Sequence, residues 1–476
     1  MDSVFLFPRH CPIDVTRHIL ILSGNLPGLL TAYRLIPYGF RITILDPHSS
    51  LSPTTSSRHL SESTNLEYPP PSQSLSAQSS PLILHRFDQS TWALFHELAF
   101  EHASELIQPV DLEFGTSGGK TLTLFKAQGI STLHPIIRLA GFRGLTWSDR
   151  WHLINFLEKN WEAQDSPDHH PDTLTVESWL NSAQQSAFSR QHIWNPLCRL
   201  FLGCDVTQAS LGYFLEVLSR FWLPTPNGSE TLLAPPGMLN HLQRELRRVL
   251  LGKGVTFYPS NEITLIQADT ERIQAVVLSN GELLKTDIYI STLSPIELLR
   301  LLPERAPARF SCFSHLAHLQ EATGTAVQLT LNEALLPPRL ILNSGVFDWV
   351  TSQAVPNTDG QKTLITGINL SPSPSSLHTD EWLRETAWPH IKKMFNIPPE
   401  QSWSSCEPPV MQSAYRFIPC LAGFRTFRPL PNTPMPNLFL AGPWTATPLP
   451  PCLESAVISA YLCARAVTER VQLSSH

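Results

Sequence analysis

The chain has 476 residues, of which 42% are apolar and 16% charged, with a net charge of -6. That length supports two or three domains with substantial cores. The acidic balance and the absence of any Lys/Arg run exclude a phosphate-tracking nucleic-acid surface, and no apolar run approaches the roughly 18 residues of a spanning helix.

His18 to Leu22 (HILIL) reads as a compact apolar strand. A tight turn, SGNLPG, follows at Ser23 to Gly28, then a helical pattern, LLTAYRLIPYGF. Arg41 to Leu45 (RITIL) is a second strand that ends at Asp46. Strand, turn, helix, strand and an acid roughly 20 residues past the turn is the layout of a dinucleotide-binding unit, with the acid placed to bond a ribose hydroxyl. Aligned on G-x-G-x-x-G, the glycine positions hold Ser23, Asn25 and Gly28. A Cβ at Asn25 obstructs the backbone's approach to a pyrophosphate, whereas Asn25 as a cap and Pro27 in the first turn both favour the helix. Two readings of this unit stay open: a nucleotide site, or a structural βαβ element.

Ser56 to Ser80 is rich in Ser, Pro and Thr and reads as a loop. Residues 88 to 220 read as largely helical, with apolar positions at helical spacing. Thr175 and Ser178 form a plausible helix start. The aromatics of His192 to Trp222 suit, singly, an ordinary core and, as a set, the lining of a large apolar cavity. His192 and Cys198 are reactive types on an aromatic-rich face, where packing is the commoner role.

Met238 to Leu251 is an amphipathic helix stopped by Gly252. Strands are expected at Val255 to Tyr258, Ile263 to Ala268, Ile273 to Leu278 and Asp287 to Ser291, with an Asn-Gly turn at Ser279 to Glu282. Val327 to Leu331 opens a second sheet region. Near the end, Leu438 to Leu440 is a short strand. It enters a Gly-Pro loop and then a helix opened by Pro450 and Pro451. A strand, loop and helix N-terminus together offer backbone N–H groups and a positive dipole to a polar cofactor.

The terminal string NLFLAGPWTATPLPPCLESAVISA, Asn437 to Ala460, resembles the C-terminal flavin motif of the FAD-dependent amine oxidase and carotenoid desaturase superfamily. It is most similar to the squalene-associated, hydroxysqualene dehydroxylase-like branch, which usually reads AGDWTATGLPATIESA. Pro443 and Pro448 stand where that branch has Asp and Gly. Trp194, Pro196, Leu197 and Cys198 resemble a Trp-x-Pro-Leu-Cys segment of the same branch, Val346 to Val350 its Trp-Val-Phe-Asp segment, and Phe427 to Pro431 its FRPLP segment. Leu51 to Thr54 holds the place of a Leu-Gly-Gly-Arg segment without its glycines or arginine.

The resemblance implies an α/β fold, with a Rossmann-like FAD-binding domain of the amine oxidase type and an inserted mixed helical and antiparallel-sheet substrate domain. It divides the chain into FAD-binding parts at 16–60, 234–300 and 425–470, a mostly helical cap at 61–233, and a substrate-domain sheet at 301–424. It implies FAD as cofactor, with Asp46 at the adenosine ribose, Gly24 and Gly28 at the pyrophosphate, Ile263 at adenine, and Gly442, Trp444, Thr445 and Leu453 beside the flavin. The implied chemistry is reductive removal of the hydroxyl of hydroxysqualene to give squalene, in hopanoid or isoprenoid synthesis. The implied partners are a long apolar isoprenoid substrate, other squalene-pathway enzymes and a membrane surface touched peripherally.

A non-catalytic paralogue that binds lipid or protein without FAD is the alternative. No catalytic side chain or metal site is named. The eight cysteines show no C-x-x-C and no zinc spacing, and read as free thiols of a reducing, cytoplasmic compartment.

Overall fold

The computed structural model describes residues 17–46, 81–98, 100, 106–115, 121–125, 146–161, 171–222, 230–259, 262–269, 271–331, 336–357, 360–370, 380–398 and 411–473. The expectations for Leu51 to Thr54 and Ser56 to Ser80, and Cys11 and Cys406, lie outside these residues. The chain divides into two compact units. One takes the spans Met1–Asn65, His241–Gln320 and Arg425–His476, and the other Leu66–Asn240 and Glu321–Phe424. Residues 301–320, assigned from sequence to a substrate-domain sheet, fall in the first unit and are helical where they are regular.

The first unit is built on a five-stranded parallel sheet. Strand β1 (His18–Ile21) pairs on one side with β2 (Arg41–Asp46) and on the other with Ile288–Ser291. The outer neighbours are Thr256–Pro259 beside β2 and Leu438–Leu440 beside Ile288–Ser291. The inner strands are apolar on both faces and almost wholly buried, as strands covered by helices on each side must be. Helix α1 (Leu26–Leu35) buries Leu29, Leu30, Ala32 and Leu35 and packs against the Leu453–Leu473 helix. That terminal helix starts at Leu453, two residues after the expected proline opening. Ile263–Ala268 and Ile273–Leu278 pair antiparallel, and the second of these strands turns into Leu283–Leu284 through Gly281, whose φ of +83 degrees suits glycine.

The second unit carries a seven-stranded, mostly antiparallel sheet. Its order is Met411–Phe417, Ala322–Leu331, Gly360–Asn369, Trp349–Asn357, Arg339–Leu342, Leu112–Gly115 and Thr121–Phe125. A smaller sheet joins Leu82–His85, Thr231–Ala234 and Gln108–Val110. Five strands thus occur in a stretch read from sequence as mostly helical. They are short, and most pair far off in the chain: Leu112–Gly115 pairs with Arg339–Leu342, and both Leu82–His85 and Gln108–Val110 pair with Thr231–Ala234, while Thr121–Phe125 pairs with the nearby Leu112–Gly115. Local periodicity carries no sign of such pairing. The helix at Val176–Ser182 begins as expected, with Thr175 Oγ1 accepting from the Ser178 N–H.

The aromatics of this unit settle as packing. Trp179, Trp194 and Phe214 are buried and meet edge to face, and Trp194 Nε1 donates to Gln185. The expected cavity lining is, for these three rings, a filled core. Cys198 is fully buried, and burial pushes its thiol well above the ordinary range, which suits an inert thiol. His192 stacks on Phe188 and its Nδ1 lies 3.1 Å from the Phe188 carbonyl oxygen.

Candidate functional site

Because all five strands of the first unit's sheet are parallel, their carboxyl ends share one edge. Open α/β sheets bind ligands at that edge. The loops after β1, β2, Ile288–Ser291 and Leu438–Leu440 therefore gather Gly24, Gly28, Asp46, Gly442, Trp444 and Thr445 along it.

The turn after β1 is closely fitted. A Cβ on Gly28 would stand 2.0 Å from the Ser23 carbonyl oxygen, so helix and strand meet there through glycine alone. Asn25 does what its residue type favours and caps α1: its Oδ1 accepts from the Gly28 N–H at 3.0 Å. Its Nδ2 donates to the Thr292 carbonyl at 2.6 Å, tying the turn to the neighbouring strand end. The Gly28 N–H, expected at a pyrophosphate, is thus engaged within the protein.

Asp46 closes β2 at the expected place, with only 2% of its surface exposed. A Cβ on Gly24 would come within 2.8 Å of the Asp46 carboxyl carbon, which explains a glycine there. Arg247, from the Met238–Gly252 helix, places Nη2 3.0 Å from Asp46 Oδ2 and 3.0 Å from the Gly24 carbonyl oxygen. Its Nε is buried without a hydrogen-bond partner. Ser291 Oγ, at the carboxyl end of its strand, is likewise buried and unpartnered. Ile263 opens its hairpin strand half-buried, in register with Leu278.

The C-terminal loop is held from within. Gly442 adopts φ +151 degrees, and its N–H donates to Ser459 Oγ at 2.9 Å. A Cβ on Gly442 would meet Trp444 Nε1 at 2.6 Å, so the indole folds back over the glycine. Thr445 is fully buried, with its hydroxyl on the Gly442 carbonyl and Ser459. Leu453 is half-buried at the head of the terminal helix.

Arg428, inside the FRPLP segment, is 5% exposed. It donates to the carbonyls of Pro443, Thr447 and Leu449 and to Thr447 Oγ1, at 2.6 to 3.2 Å. Sequence reasoning named neither Arg247 nor Arg428. The FRPLP match lay around Arg428, but nothing local showed where either guanidinium would reach.

The comparisons bear on this geometry. The profile of the family "Flavin containing amine oxidoreductase" matches residues 73–468. The chain belongs to this family. The matched stretch begins after β1, α1 and β2, and takes in the remainder of the sheet.

Members similar in sequence include a probable zeta-carotene desaturase of Synechococcus elongatus, 24% identical over 63% of this chain and 67% of the relative. A 15-cis-phytoene desaturase of an Oncidium hybrid cultivar is 22% identical over 68% of this chain and 57% of the relative. A Synechocystis zeta-carotene desaturase is 22% identical over 62% and 66%. The chain thus spans about three fifths to two thirds of these relatives.

Among solved structures, an oxidoreductase from Methanosarcina mazei superposes with TM-score 0.62 at 16% identity, covering 95% of this chain and 100% of the other. Putrescine oxidase bound to putrescine superposes at 0.61 and 12% identity, over 95% and 99%. These likenesses show the fold. Among the described residues, no helix is long and apolar enough to cross a membrane, and no His/Cys/Asp/Glu group could hold a metal. Six described cysteines are free.

FAD is the cofactor that this family implies, and its adenosine diphosphate half is the part that this edge of the sheet would hold. The frame fits. The acid stands at the end of β2, glycine is sterically required at positions 24 and 28, and two buried polar atoms at this edge lack partners. Asp46, Gly24 and Gly28 are the residues that would hold it.

Proposed function

We propose that this chain is an FAD-dependent oxidoreductase acting on a long apolar polyisoprenoid, with reductive dehydroxylation of hydroxysqualene to squalene as the first reaction to assay. The observation that carries the reading is the placement of Asp46 and Gly24 side by side at the carboxyl edge of a parallel sheet. The relatives named as zeta-carotene and phytoene desaturases support an isoprenoid substrate class, and the terminal motif supports the squalene branch. FAD, when bound, supplies the hydride chemistry. The protein's part is placement: Asp46 and the glycine turn hold the nucleotide, and the Arg428-braced loop fixes Gly442 to Thr445.

A second reading, a paralogue that keeps the fold without the flavin and binds lipid or a protein partner, is favoured by one observation. The polar groups of the turn and the acid are already bonded within the chain. A visible absorption spectrum of the purified protein, before and after added FAD, separates the two. Flavin that stays with the protein through gel filtration supports the first reading, and turnover of hydroxysqualene under reducing conditions then tests the substrate. Protein that remains colourless with excess FAD supports the second.

A further inference from the structure

We propose that Arg247 is a latch on the adenosine site: its guanidinium occupies the Asp46 carboxylate, so that the ion pair and a nucleotide ribose exclude each other. The proposal rests on the adenosine-site reading above and adds a residue to it. A ribose diol needs both oxygens of the acid. Here Oδ2 accepts from Arg247 Nη2 at 3.0 Å, while Oδ1 faces Gly24, where an added Cβ would stand 3.1 Å away. The Asp46 side chain is only 3% exposed, so a hydroxyl has no path to it while Arg247 is in place. The same Arg247 nitrogen holds the Gly24 carbonyl, which bars the turn as well as the acid.

Two features make this a latch and not a fixed strut. Arg247 is 26% exposed, so the guanidinium has water to move into. Its Nε is buried without a partner while the pair is closed, a cost that is relieved when the side chain swings out. A ligand whose competent state is only fractionally populated binds more weakly by that fraction, and removing the closed state restores the loss.

The test is a titration of the full-length chain with FAD, followed by quenching of flavin fluorescence, and with ADP, followed by calorimetry. Wild type is compared with Arg247→Met, which keeps an apolar stem of similar length on the helix, and with Arg247→Lys. Circular dichroism and gel filtration confirm that each is folded. Arg247→Met should tighten both ligands by roughly ten- to a hundredfold, as for an open state populated at about 1–10%. Arg247→Lys should fall between. Adding Asp46→Asn to Arg247→Met should abolish the gain.

Weaker or unchanged binding in Arg247→Met overturns the latch, since Arg247 would then be a ligand contact or a bystander. If Arg247→Met gains ADP but neither protein takes FAD, the latch stands and the flavin reading fails. If both proteins bind FAD equally well, the flavin reading stands and the latch fails. If neither ligand binds any variant, both are overturned.

Discussion

Gly28→Ala isolates the closest approach in the first unit. The new methyl would sit 2.0 Å from the Ser23 carbonyl oxygen and 3.1 Å from Thr292 Oγ1. The first is a backbone atom at the end of β1, and it cannot rotate away. Relief therefore means withdrawing α1 from β1 by about 1 Å, the gap between that contact and the shortest tolerable one, at an overpacking cost of about 1–3 kcal/mol. The shift also pulls the Gly28 N–H off Asn25 Oδ1, now 3.0 Å away, and a lost cap adds ~1 kcal/mol. Alanine's better helix propensity returns ~1 kcal/mol.

The net expectation is a loss of about 1–3 kcal/mol, or a fall in Tm of ~2–12 °C at about 2–4 °C per kcal/mol for a unit of this size. Gly252→Ala is the control. It is also glycine to alanine, at the exposed end of a helix, with nothing within 4 Å of the added methyl. It should be neutral or stabilise by ~0.5–1 kcal/mol. Urea midpoints of the two variants, measured side by side by far-UV dichroism, decide the matter. A Gly28→Ala protein as stable as Gly252→Ala would refute the claim that sterics, not ligand binding alone, require glycine here.

Two further outcomes concern the second unit. Burial lowers His85 from its ordinary 6.5 to about 4. Between those values the unfolded chain holds the extra proton, so stability rises with pH across the window and is lost on acidification, by about 3 kcal/mol in all at ~1.4 kcal/mol per pH unit. His85→Phe, which preserves the stack on Phe87, should flatten the dependence of the urea midpoint on pH between 6.5 and 4. Arg339 grips the buried Glu113 with two nitrogens at 2.8 and 2.5 Å, across the pairing of Arg339–Leu342 with Leu112–Gly115. Arg339→Met strands that carboxylate and should cost ~3–5 kcal/mol in urea unfolding at neutral pH, and adding Glu113→Gln should recover part of it.

What the sequence disclosed follows the range of the forces involved. Apolar runs such as HILIL, RITIL and Leu438 to Leu440, and the hairpin at Ile263 to Leu278, read correctly because strand pattern and turn chemistry are local. The cap at Asn25 was legible for the same reason. Asp46 could be placed from spacing, but not its partner: Arg247 lies 201 residues on, among other arginines on a helix that gave no sign of which one turns toward β1. Leu82–His85 and Gln108–Val110 stayed hidden because their partner is remote, whereas the local pair of Leu112–Gly115 and Thr121–Phe125 was missed within a stretch read as helical. The aromatic stretch around Trp194 allowed both a core and a cavity, and only the edge-to-face contacts decided for the core.

The departures from the family motif change meaning once their hydrogen bonds are counted. Counted as lost ligand contacts, Ser23, Asn25 and Pro443 suggest an affinity too low to matter. Yet Asn25 caps the helix that a glycine would have left uncapped, and the Pro443 carbonyl is one of four acceptors gathered by Arg428. These groups stabilise the edge of the sheet with no ligand present. A nucleotide entering here must exchange bond for bond, so its affinity is a difference between two well-satisfied states and not a sum of contacts. Asp46 is where that exchange has the most to trade, because the partner it would give up is an arginine that is itself incompletely satisfied.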